Sequence, residues 1–74
     1  MIVKTNGILD GAARVQGTRA AVWLLEHFRR MGVGDNRLLL QYPGVTQSDL
    51  LDVWEYVDSH KEEIDIEIQL NCHE

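Results

Sequence analysis

Tyr42-Pro43-Gly44-Val45-Thr46-Gln47-Ser48-Asp49 closes one leucine-rich segment and opens another. Pro43, the single proline, disfavours helical geometry at Tyr42, so the preceding helix is predicted to stop there. Gly44 admits a positive φ in a tight turn. Thr46 is placed to cap the next helix, and Asp49, three residues on, completes a capping box at the positive helix end. From there Leu50, Val53, Trp54 and Val57 recur at helical spacing. Helix, a turn of about three or four residues, then helix is the helix-turn-helix pattern, which DNA-binding domains share with small domains that never touch DNA.

Upstream of this turn, a second helix is predicted from about Asn36 to Gln41, with Asp35 as its cap. Its consecutive Leu38, Leu39 and Leu40 cover most of a helix circumference, which predicts burial on more than one side. Gly32 is a natural C′ residue for a first helix running from about Arg19 to Met31. Thr18 is the expected N-cap of that helix. Ala21, Leu24, Leu25, Phe28 and Met31 share one face, Trp23 and His27 lie to the side, and Glu26, Arg29 and Arg30 point outward. Before it, Ile2-Val3 and Arg14-Val15-Gln16-Gly17 read as two short strands, with Val15 inward. Asn6-Gly7 and Asp10-Gly11 read as turns.

Downstream, a third helix is predicted from Gln47 to about Ser59. Asp49, Asp52, Glu55 and Asp58 make its solvent face acidic. The tail carries two signals. Ser59 and Glu62 form a second S-x-x-E box, which argues for a fourth helix beginning near His60. Ile64, Ile66, Ile68 and Leu70 alternate with polar residues, which is a strand pattern. A helix would put Ile64/Ile68 and Ile66/Leu70 on different sides, one of them able to face a partner. A strand would line up all four and could pair with Ile2-Val3. The expected fold class is mainly α: a small three- to four-helix helix-turn-helix domain with short N-terminal β-strands. Residues 1–18 form a strand and loop arm, 19–60 a three-helix core and 61–74 an acidic tail.

A chain of 74 residues holds one domain. It buries only about 60–65% of its unfolded surface, so oligomerisation is the expected source of extra stability and a homodimer or a tight hetero-complex is predicted. The lone Cys72 makes no internal disulfide, which fits a reducing, cytoplasmic setting. No apolar run approaches the roughly 18 residues of a membrane span. The net charge of −5 is unevenly spread. Residues 1–37 set Lys4, Arg14, Arg19, Arg29, Arg30 and Arg37 against Asp10, Glu26 and Asp35, for +3, and residues 38–74 set Lys61 against nine acids, for −8. Two surfaces with different partners, or two solvated faces with none, both follow from such an imbalance.

No catalytic constellation is predicted. His27, His60 and His73 have no ligand spacing, and Cys72-His73-Glu74 reads as a frayed end rather than a metal site. Gly7 and Gly11 lack the Gly-Lys-Ser/Thr of a phosphate loop. Ser48 and Ser59 read as helix-start residues, so no nucleophile–base pairing is predicted for them. Neither a metal, a cofactor nor a small-molecule ligand is expected. DNA binding requires cations against phosphates, and the second helix of the motif normally meets base edges with its first residues. Gln47 and Ser48 stand there, but Asp49, Asp52 and Glu55 follow and repel the backbone. DNA contacts are therefore expected from Arg14, Thr18, Arg19, Arg29, Arg30 and Arg37 together with Gln47 and Ser48. The alternative is that Arg14 and Arg19 brace the arm through ion pairs to Asp10 or the acidic helix.

Asp10-Gly11-Ala12-Ala13-Arg14-Val15-Gln16-Gly17-Thr18-Arg19, then the leucine-rich helix ending in Met31-Gly32, then Leu39-Leu40-Gln41-Tyr42-Pro43-Gly44-Val45-Thr46 with Asp49, then His60-Lys61-Glu62-Glu63-Ile64-Asp65, resembles the family known as domain of unknown function 433. The resemblance covers about residues 5–68. The chain departs from it at Ala13, where the family usually has proline, and at Ala20, where it usually has a β-branched residue. The resemblance implies a homeodomain-like or winged-helix fold and a VapB-like antitoxin paired with a PIN-like ribonuclease toxin. On that reading Glu62, Glu63, Ile64, Asp65, Ile66, Glu67, Ile68 and Leu70, with the acidic third helix, cover a basic toxin surface, and the basic half holds operator DNA. A stand-alone DNA-binding regulator and a protein-only interaction module are the alternatives.

Overall fold

A computed structural model describes residues 1–4 and 11–71. The turn at Asn6-Gly7, the residue Asp10 and the Cys72-His73-Glu74 end lie outside the described residues. The elements are β1 (Ile2–Val3), β2 (Arg14–Val15), α1 (Val22–Arg30), α2 (Asp35–Gln41), α3 (Gln47–Ser59) and α4 (Lys61–Asn71). The two strands pair antiparallel, Ile2 with Val15 and Val3 with Arg14. They precede α1, and a helix rather than a β-hairpin follows α3.

The chain around Gly17 folds back on itself. Gly17 takes φ 80°, the positive value that the third position of a type II turn requires. The Thr18 amide donates to the Val15 carbonyl at 3.1 Å, and beyond the turn the Val15 amide donates to Ala20 at 3.0 Å. Arg14 bridges to Ala21, and the Val22 amide donates to Ala13 at 2.9 Å. This pairing holds residues 20–21 extended, so α1 starts at Val22 rather than near Arg19. Its N-cap is Ala21, which makes no side-chain cap bond. Thr18 therefore does not cap α1. Its hydroxyl donates to the Val15 carbonyl at 2.9 Å and accepts from the Ala20 amide at 3.1 Å, closing the hairpin turn.

Helix α1 ends as the sequence predicts. Gly32 takes φ 92°, its amide donates to Arg29 at 3.0 Å, and the Val33 amide donates to Phe28 at 3.0 Å. These two bonds are those of a Schellman C-cap. Met31, expected on the apolar face, is exposed because it is the capping residue at that turn. The break at Pro43 and the start of α3 also follow the sequence. The Asp49 amide donates to the Thr46 hydroxyl at 3.1 Å, and the Thr46 amide donates to the Asp49 carboxylate at 3.0 Å, a complete capping box. Asp35 does not cap α2. It is the first helical residue, and Gly34 stands at the N-cap.

The tail is a helix. Ser59 lies over the Glu55 and Tyr56 carbonyls at the end of α3, at 3.1 and 3.2 Å, and His60 separates the two helices. The core gathers Val15 from β2, Leu25 from α1, Leu38 from α2, Leu50, Val53 and Val57 from α3, and Ile64 from α4. Of the three consecutive leucines, Leu38 is buried and Leu39 half-buried, but Leu40 is 80% exposed. Burial of α2 on more than one side thus stops short of Leu40.

Candidate functional site

The hairpin turn and the helix-turn-helix turn meet. A Cβ built on Gly44 would stand 3.1 Å from the Thr18 methyl, so the backbone at Gly44 approaches the arm closely. Arg14 donates to the Thr18 carbonyl at 2.9 Å and so holds the turn from inside the arm. Arg19 is exposed at the rim of the turn. Gln47 and Ser48 are exposed at the start of α3, and Arg37 is exposed on α2. The structure thus brings Thr18, with Arg14 and Arg19 beside it, against the turn that precedes Gln47 and Ser48.

Arg29 and Arg30 are placed differently. Both turn onto Glu26, at 2.7 and 2.9 Å. Arg30 also reaches Asp65 on α4 at 2.5 Å, and the Arg29 guanidinium lies 4.4 Å over the Trp54 ring of α3. Glu26, expected to point outward, is only 4% exposed. The cause is α4, which packs on α1 and is joined to it by Arg30. A carboxylate this buried requires the two charge-assisted bonds it receives. The group ties α1 to α3 and α4. Its sequence signal was the i, i+3 and i, i+4 spacing of Glu26, Arg29 and Arg30.

A second ionic cluster joins the arm to α4. Glu63 accepts from Lys4 at 3.0 Å and from the Tyr56 hydroxyl at 2.6 Å. Burial acts to raise the Glu63 pKa, but the bonds from Tyr56 and Lys4 outweigh it and hold the carboxyl below its ordinary value. Tyr56 stacks on His60, with ring centroids 4.0 Å apart. Burial and Glu63 push the Tyr56 hydroxyl up. The Met1 ammonium sits 3.0 Å from both Asp49 and Asp52. Asp49 is held below its ordinary value by the Thr46 amide first and then by that ammonium. Glu67 is the exception. Its Oε1 is buried with no hydrogen-bond partner among the described residues, and burial, reinforced by the nearby Glu63 charge, pushes its carboxyl up. Sequence periodicity gave no sign of Tyr56 or of the role of Lys4, because both depend on where α4 docks.

These pairs change the charge map. Lys4 with Glu63 and Arg30 with Asp65 join the basic half to the acidic half, so the division along the chain is not a clean division of the surface. Of the tail residues expected at a partner, Ile64 is fully buried in the core and faces no partner, because it is the contact that seats α4. Glu63 and Asp65 are engaged internally, and Glu67 and Ile68 are half-buried. Glu62, Ile66 and Leu70 face outward, Ile66 at 49% and Leu70 at 69% exposed. Among the described residues no cluster of His, Cys, Asp or Glu could hold a metal, and no helix is long and apolar enough to cross a membrane.

A crystal structure of a DUF433 member protein from Anabaena variabilis ATCC 29413 is similar to this chain, with a TM-score of 0.88 and 43% identity. The similarity covers 90% of this chain and 66% of that one, so this chain spans about two thirds of that relative's length. No curated protein matches the chain. A family model described as "Protein of unknown function (DUF433)" matches residues 2–57, from β1 through most of α3, leaving α4 beyond it. With most of its length matched, the chain belongs to the DUF433 family.

Proposed function

We propose that the protein is an antitoxin-like component of a type II toxin–antitoxin pair, acting as a homodimer and neutralising a PIN-like ribonuclease through its acidic half. The observation that carries this reading is the outward face of α4. Ile66 and Leu70, one helical turn apart, stand beside Glu62 on a helix seated by Ile64. An i, i+4 apolar pair with an acidic flank suits a helix lying in a basic, apolar groove. A ribonuclease attracts an RNA backbone, so its cleft is electropositive. The test is coexpression with a PIN-like ribonuclease encoded beside this protein. Copurification and rescue of growth are expected, with both lost on Ile66→Asp with Leu70→Asp. A pair that neither copurifies nor restores growth removes the reading.

Operator binding is the second reading, favoured by the contact between Thr18 and Gly44. It sets the arm beside the helix-turn-helix unit, with Arg14, Thr18, Arg19 and Arg37 as phosphate contacts and Gln47 and Ser48 nearest the bases. Arg29 and Arg30 contribute less, since Glu26 already neutralises them in part. Three arginines on phosphates give a salt slope of about −3 in log K against log salt, reduced by about 1 in Arg19→Ala. A gel shift on the protein's own promoter measures both, and absence of binding at low salt counts against DNA.

A further inference from the structure

The outward face of α3 is the surface that a DNA-reading helix-turn-helix inserts into the major groove. Here it carries Gln47, Ser48, Leu51, Glu55 and Asp58, which fall within an arc of roughly 100° at 3.6 residues per turn. All five are exposed, and Leu51, at the middle of the arc, is 61% exposed. Several other carboxylates find cations of this chain: Asp49 and Asp52 meet the Met1 ammonium, Glu63 meets Lys4 and Asp65 meets Arg30. Among the described residues, Glu55 and Asp58 meet none. The face is anionic with an apolar centre, and no lysine or arginine lies on it.

We propose that this face docks a cationic amphipathic helix of a protein partner, with Leu51 as the anchor and Glu55 and Asp58 as flanking ion-pair acceptors. Charge decides between occupants. DNA phosphates on this face meet Glu55 and Asp58, which have no compensating cation among the described residues. A second copy packed face to face about a two-fold axis opposes like charges. A basic helix with an apolar seam satisfies both features, and α3, about 20 Å long, offers it several turns of contact. The capping box and the buried Leu50, Val53 and Val57 fix the backbone, so the face is presented in one arrangement. DNA contact, where it occurs, falls to the arm, Arg37 and the first turn of α3, and leaves Leu51, Glu55 and Asp58 to the protein partner. This inference rests on the acidic half being protein-binding, but it assigns α3 independently of α4.

The experiment is amide chemical-shift mapping of the full chain, titrated with a synthetic amphipathic helix of leucine and lysine and, separately, with a random-sequence DNA duplex at low salt. The peptide is expected to give saturable shifts at Gln47, Ser48, Leu51, Glu55 and Asp58. Leu51→Lys is expected to weaken those shifts about tenfold while the core resonances of Leu25 and Ile64 stay in place. Peptide shifts confined to α4 overturn the α3 assignment and leave the antitoxin reading standing. No peptide binding, α3 shifts that persist in Leu51→Lys, or the Leu51, Glu55 and Asp58 amides shifting with DNA also overturn it.

Discussion

Glu26 is the residue on which the ionic structure converges. It is buried, it accepts from both Arg29 and Arg30, and Arg30 carries the connection on to Asp65. Removing one member of a buried ion group leaves the others uncompensated. Glu26→Gln keeps the shape and deletes the charge, and it should destabilise the protein by about 2–3 kcal/mol, read by urea denaturation. An unchanged midpoint would show that the arginines are solvated without it. Glu67 predicts the opposite sign. Its folded-state pKa is raised, so the charged form costs stability at pH values above that pKa, and the cost fades as pH falls through it. Glu67→Gln should therefore stabilise the protein at pH 7 by about 0.5 kcal/mol, after discounting for partial exposure, and the gain should vanish in acid. Melting curves of both proteins across that pH range check it. Much at this scale was legible beforehand: Gly32 as C′, Thr46 and Asp49 as a capping box, and Val15 as an inward strand residue. Those features depend on neighbours within a few residues. Thr18 escapes local reading because its partners come from the chain reversal at Gly17, and the burial of Glu26 does because it depends on the packing of α4 on α1 rather than on its local partners Arg29 and Arg30.

Elements show the same contrast. The start and length of α3 followed from its own sequence, since Pro43, Thr46 and the spacing of Leu50, Val53 and Val57 agree. The tail did not, because alternating isoleucines satisfy a strand and a helix about equally well. Docking decides it: as a helix, Ile64 reaches the core while Ile66 and Leu70 remain outside, and Ile2-Val3 already has Arg14-Val15 as its partner. Truncating the docking residue should be costly. Ile64→Ala is expected to lose about 2–4 kcal/mol, measured by thermal unfolding. Thr46→Ala should lose about 1 kcal/mol through the cap of α3. Because the Asp49 pKa is lowered, the capping contribution is present above the ordinary carboxylate pKa and is lost as pH falls through the folded value. The deficit of Asp49→Ala should therefore shrink in strong acid, whereas that of Thr46→Ala, which removes only the hydroxyl that accepts from the Asp49 amide, should persist there.

For the whole molecule, charge asymmetry along the chain does not produce two separate faces. Cross-pairs from Lys4 to Glu63 and from Arg30 to Asp65 stitch the halves into one body. Among the described residues, those exposed and outside these ion pairs include Arg19 and Arg37 on one side of the helix-turn-helix unit, and Leu51, Glu55, Asp58, Glu62, Ile66 and Leu70 on the acid-rich helices. The function proposed for those helices depends on α4 being part of the folded core and presenting one fixed side. Native-state hydrogen exchange measures this directly. Amides within Ile64–Ile68 are expected to be protected with the same opening free energy as those around Leu25 and Leu50. Exchange of the α4 amides near the unfolded rate, while α1 and α3 stay protected, would contradict it.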